Sequence, residues 1–120
     1  MKRIVLLVET SREFGRQLIM GIARYSRFHG PWSFYKEQIG LKFSIPHLTN
    51  WNPDGIIMRD SLATKELLKL EIPIILVIHN SSYSKNLPII KTDSAAIAKM
   101  ASEHLMQKGF KSFAYCGFSF

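Results

Sequence analysis

The chain has 120 residues, 47% of them apolar and 21% charged, which is typical of one soluble globular domain or part of one and excludes a disordered chain. Its formal net charge is +7, but the basic residues are spread along the chain, so a solvated basic surface is favoured over a nucleic-acid patch. The single cysteine, Cys116, excludes an internal disulfide and is predicted to be a buried small hydrophobe in a reducing cytoplasm.

The chain begins with a strand, a polar loop and a helix. Ile4–Val8 is a β-branched apolar run typical of a central parallel strand, and it is shorter than the 7–15 or so residues of a signal-peptide core. The loop Glu9–Arg12 follows, and the helix extends to about Phe28, where His29-Gly30-Pro31 ends it. The apolar face of this helix is predicted to comprise Phe14, Leu18, Ile22 and Tyr25, and the opposite, solvated face Arg12, Arg16, Arg24 and Arg27.

The middle of the chain continues the alternation. The predicted elements are a second strand at Trp32–Glu37, a third at Ile56–Met58 after the Asp54-Gly55 turn, a helix from about Ala63 to Leu70, and a fourth strand at Ile74–Ile78. The segment from Ile39 to Asn52 allows either a short helix or irregular structure.

The stretch from Lys91 to Gly117 is the most informative. After a short strand at Ile89–Thr92, Asp93 stands at a helix N-cap position and Gly109 where that helix stops. Apolar residues recur at helical spacing, which predicts that one helix face is buried against a sheet; they are Ile97, Ala98, Ala101 and Leu105. A last strand is predicted at Ser112–Cys116.

This order predicts an α/β fold with a parallel, doubly wound sheet whose strand-end loops meet at one edge. The candidate ligand-binding residues at that edge are Glu9, Ser11, Phe14, Arg59, Asp60, His79, Asn80 and Asp93. Their carboxylates, amides and aromatic ring suit a neutral polyhydroxyl ligand. Structural alternatives remain open: Asp93 as a pure helix cap, His79 as a partner of loop backbone, and Arg59 paired with Asp60 at the surface.

Catalysis is not predicted. No glycine-rich phosphate loop follows a strand, no nucleophile elbow is present, and the four histidines lack metal-ligand spacing. A receiver domain needs an acidic cluster after its first strand, where Glu9 stands alone. We therefore expect a protein that is not an enzyme and needs no cofactor or metal.

Several motifs resemble a known family. Arg16-Gln17 with Gly21, Asp54-Gly55-Ile56-Ile57, and Thr92-Asp93 through His104-Leu105 to Gly109 resemble the sugar-sensing domain of bacterial regulators with a periplasmic-binding-protein-like fold. The similarity is greatest to xylose operon regulators, which join a LacI-type sensor to a C-terminal AraC-type helix-turn-helix domain. It extends over nearly the whole chain.

The resemblance implies that residues 1–120 are the N-terminal lobe of an effector-binding domain, truncated before its second lobe and a C-terminal DNA-binding domain. It implies a cytoplasmic transcription factor without membrane contact, switched by a pentose such as xylose and dimeric through the first helix. Asp93, Glu9, Ser11 and Phe14 match ligand-facing positions, whereas Arg59, His79 and Asn80 occupy matching loops. Two alternatives are a free-standing flavodoxin-like or receiver-like binding module and a basic domain that binds nucleic acid directly.

Overall fold

A computed structural model describes residues 1–37, 45–77 and 86–117, and its described strands and helices alternate as far as the fourth strand. The elements are β1 (Lys2–Leu7), α1 (Glu13–His29), β2 (Trp32–Lys36), α2 (Ile45–Trp51), β3 (Gly55–Arg59), α3 (Thr64–Leu68), β4 (Ile74–Val77), β5 (Ile89–Ile90) and α4 (Ser94–Gln107). The predicted elements up to α4 are present with small shifts of their ends, and α2 occupies part of the segment whose structure the sequence left open. The predicted His79 and Asn80 loop lies outside the described residues.

One sheet of five parallel strands organises the fold, in the order β2-β1-β3-β4-β5. The register places Leu6 of β1 beside Lys36 of β2 on one side and Ile57 of β3 on the other. Every strand pair is parallel, so the carboxyl ends of the strands share one edge. The α/β class with a parallel sheet is thereby confirmed.

Helices cover both faces of this sheet. Side chains alternate along a strand, so Val5 and Leu7 of β1 face one side while Leu6 and Val8 face the other. On the first side lies the core, which joins strand residues to α2 and α3; it comprises Val5, Leu7, Leu48, Ile56, Met58, Leu67, Ile74 and Leu76. On the second side α1 approaches closely, because an ideal Cβ placed on Gly15 would lie 3.5 Å from Val8 Cγ1. The sheet is therefore doubly wound.

The amino ends of β1 and β3 are joined by reciprocal hydrogen bonds. The backbone N–H of Arg3 donates to Asp54 Oδ2 at 2.7 Å, and the backbone N–H of Asp54 donates to the Arg3 carbonyl at 2.8 Å. The hydrogen bond from the Arg3 N–H is the main cause of the lowered Asp54 pKa. The charges of Lys2 and Arg3 lower this pKa further, whereas partial desolvation raises it. Asp54 thus fixes the register of the two strands that flank the candidate site.

The buried face of α1 agrees only in part with the predicted one: Leu18 and Ile22, the middle two of the four predicted residues, are half-buried. Its buried residues are Gly15 and Ser26, whereas Phe14 and Tyr25 are 37% and 52% exposed. Small residues occupy the closest contacts: the Ser26 hydroxyl accepts a hydrogen bond from the Trp32 N–H at 3.0 Å, which ties the helix to the start of β2. The large Tyr25 ring lies at the margin instead, stacked on His29 with ring centroids 4.3 Å apart.

The last helix is capped as predicted but not buried as predicted. The Asp93 side chain accepts a hydrogen bond from the Ala96 N–H at 3.0 Å, and Gly109 has a φ of +89° just beyond the helix. No residue of α4 is buried, and Ile97 is 56% exposed. The Cα radius of gyration is 17.8 Å, against about 14 Å for a compact chain of this length, because α4 and the residues after it project from the sheet.

The strand predicted at Ser112–Cys116 is wrong: residues 110–117 belong to no strand or helix, and Cys116 is exposed rather than buried. Because α4 does not return along the sheet, the segment after it has no neighbouring strand to pair with. Within the described ranges no helix has both the length and the apolar character needed to cross a membrane.

Candidate functional site

A cleft of about 320 Å³ opens at the carboxyl edge of the sheet, above β1 and β3. Its lining comes from the residues after β1, the start of α1, the ends of β3 and β4, and the residues after β5: Val8, Glu9, Arg12, Phe14, Gly15, Arg59, Val77 and Thr92. In the strand order β2-β1-β3-β4-β5 the topology reverses between β1 and β3, and open α/β sheets bind ligands at that point. The position of the cleft makes it the candidate ligand site.

Glu9 is the polar centre of the cleft. Its Oε1 accepts a hydrogen bond from the Ser11 hydroxyl, and its Oε2 accepts one from Arg59 Nη1 at 2.6 Å. The hydrogen bond from Ser11 is the main reason that the Glu9 pKa is lowered. The charges of Arg59 and Arg12 lower it further, whereas partial desolvation raises it. Glu9 is therefore an anion near neutral pH, and the ion pair joins the β1–α1 loop to the end of β3.

The β1–α1 loop, residues 9–12, is shaped by two residues of α1. Gly15 lies so close to the loop that an ideal Cβ would be 1.8 Å from the Glu9 carbonyl oxygen, a space that only glycine permits. Arg16 Nη1 donates to the carbonyls of both Thr10 and Ser11 at 3.0 Å. Arg16 is exposed, as predicted for the arginine face of the helix, but it also has a contact role in the loop that the sequence did not predict.

The other predicted residues divide into several groups. Phe14 lines the cleft with part of its ring exposed. Asp60 is directed to the start of α3, where its Oδ1 accepts a hydrogen bond from the Thr64 hydroxyl at 2.8 Å. Asp93 lies in a neighbouring open hollow formed by Lys91–Ala95, and Thr92 is common to that hollow and the cleft. His79 and Asn80 lie outside the described residues.

Several lining residues were not among the predicted binding residues, although the sequence contains partial signals for some of them. Arg12 was predicted in the loop after the first strand but not among the binding residues, and Thr92 was not chosen although it adjoins Asp93. The apolar lining residues are Val8, directly after β1, and Val77, the last residue of β4; both are buried, so strand ends alone indicate them. Gly15 and Arg16 act through backbone contacts of the loop, which sequence spacing does not reveal.

The arrangement offers both kinds of hydrogen-bonding group over an apolar base. Arg12, Arg59 and Thr92 supply donors, Glu9 supplies acceptors, and the Phe14 ring supplies an apolar surface. A ligand with several hydroxyl groups and a C–H face can contact the donors, the acceptors and the apolar ring together. Among residues 1–37, 45–77 and 86–117, no group of three histidine, cysteine, aspartate or glutamate side chains is placed to hold a metal ion.

Comparison with known proteins adds a family match. Residues 3–95 match the model of the XylR N-terminal domain. The chain is similar to the xylose operon regulatory proteins of Escherichia coli strain K12, at 27% identity, and Haemophilus influenzae strain Rd, at 31% identity. Each similarity covers 96% of this chain and 31% of the relative, so the chain spans about a third of the length of those proteins. No solved structure gives a significant match.

Proposed function

The chain belongs to the XylR N-terminal domain family, and from that premise we propose that it is the effector-sensing lobe of a bacterial transcriptional regulator that binds a sugar, a pentose such as xylose. The cleft at the topological switch point is the observation on which the proposal rests. The names of the relatives support the choice of xylose as the first ligand to test.

The proposed site uses the cleft as one wall of a two-lobed cavity. Glu9 accepts hydrogen bonds from sugar hydroxyls, Arg59 and Arg12 donate to sugar oxygens, and Phe14 covers a C–H face. Ser11 holds the Glu9 carboxylate in place. Asp93 joins the site across Thr92 when a second lobe closes on the cleft, which requires a shift of its carboxylate beyond the present Ala96 contact.

The remaining parts of the proposed regulator lie outside this chain, consistent with its covering 31% of the relatives. A second lobe completes the sugar cavity, and a C-terminal helix-turn-helix domain of AraC type binds DNA in the cytoplasm. The regulator pairs as a homodimer through the outer face of α1, where Met20 and Phe28 are exposed at 62% and 73% beside Arg24. No cofactor takes part.

The proposed mechanism is a population shift. A sugar that binds between two lobes shifts the equilibrium from the open to the closed arrangement. The size of this shift is set by how much more tightly the sugar binds the closed arrangement than the open one. Closure then moves one first lobe against its partner and repositions the attached DNA-binding domains. The prediction is a coupling between sugar and DNA affinities that is equal in both directions.

Two measurements test this function. Isothermal titration of the intact regulator with D-xylose, D-ribose and L-arabinose should give saturable binding of at least one pentose, with L-xylose as the matched control. The 120-residue chain alone should bind the same sugar at least tenfold more weakly, because it supplies one wall of the cavity. Tight pentose binding by the isolated chain, or none by the intact protein, contradicts the proposal.

The alternative of a domain that binds nucleic acid directly has its own signature. Its only support is the formal charge of +7. Retention of the isolated chain on nonspecific DNA that falls steeply with salt would favour it. We expect weak retention, with sequence-specific binding found only in the intact regulator.

A further inference from the structure

We propose that Arg16 is a positioning residue for the effector cleft, with its guanidinium holding the β1–α1 loop in the shape that presents Glu9 and Ser11 to a sugar. The inference rests on the proposed function and adds a residue outside the cleft lining to it. Its basis is a continuous set of hydrogen bonds from α1 through the loop to β3.

The loop end of this set consists of two carbonyl groups. Arg16 Nη1 has two N–H bonds, and it lies 3.0 Å from the carbonyl oxygens of both Thr10 and Ser11. A single planar group thus holds two consecutive peptide units of a four-residue loop. The next side chain in the set is that of Ser11, whose hydroxyl donates to Glu9, and Glu9 in turn accepts from Arg59.

The helix end of the set fixes the guanidinium itself. Arg16 Nη2 and Nε donate to Glu13 Oε2 at 2.7 and 3.2 Å, and Gln17 Nε2 donates to Glu13 Oε1 at 2.6 Å. Glu13 is in the first turn of α1, where a carboxylate is favoured by the helix dipole. The Arg16 side chain is therefore held between a rigid helix and the loop.

A fixed loop matters for affinity because an ordered site loses less conformational freedom when the ligand arrives. Without the guanidinium, Thr10 and Ser11 lose their side-chain partner and the loop gains conformations, while the sheet and core keep their contacts. Lysine keeps the charge but lacks the planar fork, so it can replace only part of the interaction.

The experiment compares Arg16→Met and Arg16→Lys in the intact regulator with Lys65→Met, which also removes one positive charge from a helix. Lys65 lies in α3, outside the proposed dimer face and the cleft lining, is exposed, and makes no side-chain hydrogen bond among the described residues. Lysine and methionine have similar helix propensities. D-xylose affinity is measured by titration calorimetry, and melting temperature is measured on the same samples. Backbone ¹⁵N order parameters of Thr10 and Ser11 give a readout that needs no ligand.

We expect Arg16→Met to weaken D-xylose binding about tenfold, equivalent to about 1.4 kcal/mol, with the melting temperature within about 2 °C of wild type. The sugar affinity of Arg16→Lys should fall between those of Arg16→Met and wild type, and Lys65→Met should match wild type. The order parameters of Thr10 and Ser11 should fall from about 0.85 to below about 0.6 in Arg16→Met alone.

Unchanged order parameters in Arg16→Met overturn the proposal, whether or not sugar binds. Equal losses of affinity in Arg16→Met and Lys65→Met also overturn it, because they indicate a general effect of charge. If wild type binds no pentose while the order parameters respond as expected, the positioning role stands and the proposed sugar function fails.

Discussion

Adding one methyl group at Gly15 should have the opposite effect on stability from adding one at Gly21. Both glycines lie in α1, so alanine has a helical backbone to adopt at each position. At Gly15 an ideal Cβ lies 1.8 Å from the Glu9 carbonyl oxygen, whereas at Gly21 nothing beyond the adjoining backbone of the helix itself lies within 4 Å. Comparing the two variants therefore separates the effect of the close helix–loop contact on stability from the effect of alanine's helix propensity.

The magnitudes follow from these distances. For Gly15→Ala the contact must open by about 1.6 Å, from 1.8 Å to the 3.4 Å of an ordinary contact. Backbone shifts of this kind cost about 1–3 kcal/mol, and alanine returns up to about 1 kcal/mol of helix propensity. A net loss of about 1–2 kcal/mol is expected. Gly21→Ala keeps the propensity gain alone and should stabilise by about 0.5–1 kcal/mol.

The assay is urea unfolding of the two variants and wild type, followed by circular dichroism at 222 nm, with melting temperatures as a second measure. One kcal/mol corresponds to about 4 °C for a chain of this size, so the two variants should differ by about 8 °C. Gly15→Ala should also weaken sugar binding by displacing Glu9. Equal stabilisation by both substitutions would refute the inferred contact between Gly15 and the loop.

Three further outcomes are expected. A double-mutant cycle of Glu9→Gln and Arg59→Met in urea unfolding should give only a weak coupling, because both side chains are substantially exposed and exposed ion pairs contribute little to stability. Each single variant should nevertheless weaken sugar binding at least tenfold, and unaltered binding removes the pair from the site. The folded pKa values of Glu9, Glu13 and Asp54 are lowered from the usual 4.5 of glutamate and 3.8 of aspartate. The stability that these carboxylates give the folded state is therefore complete above the usual values and is lost as the pH falls through the lowered values. Melting temperature should thus be flat above about pH 5 and fall below it, less steeply in Glu9→Gln; a slope identical to that of wild type contradicts this. Asp93→Ala in the intact regulator should weaken the sugar response and leave basal DNA binding largely intact. Asp93→Asn is the control that keeps the helix cap. Unchanged induction in the alanine variant excludes Asp93 from the site.

Local signals in the sequence predicted the local structure. The apolar run at Ile4–Val8, the cap at Asp93 and the stop at Gly109 each depend on a few neighbouring residues, and each is present in the structure. Burial of α4 and pairing of Ser112–Cys116 depend on distant surfaces, and the apolar spacing of Ile97 and Leu105 contains no information on which surface they meet. Those two predictions failed for that reason.

The candidate site was likewise predictable only where it depends on a general rule of the fold. The rule that parallel strands end at one edge was sufficient to bring Glu9 and Arg59 together, and they form an ion pair at 2.6 Å. It was not sufficient to select the partner of Arg59, for which the adjacent Asp60 was the simpler choice. The roles of Gly15 and Arg16 depend on where loop carbonyls point, a property of the folded backbone.

The close approach at Gly15 also separates two properties of Glu9. Its carbonyl oxygen is confined by the helix, whereas its side chain extends into the cleft and takes no part in the core. Evolution can therefore exchange side chains at this position and at Arg59 without disturbing the architecture beneath them. Paralogues of this domain could acquire new effectors by a few substitutions on an unchanged scaffold.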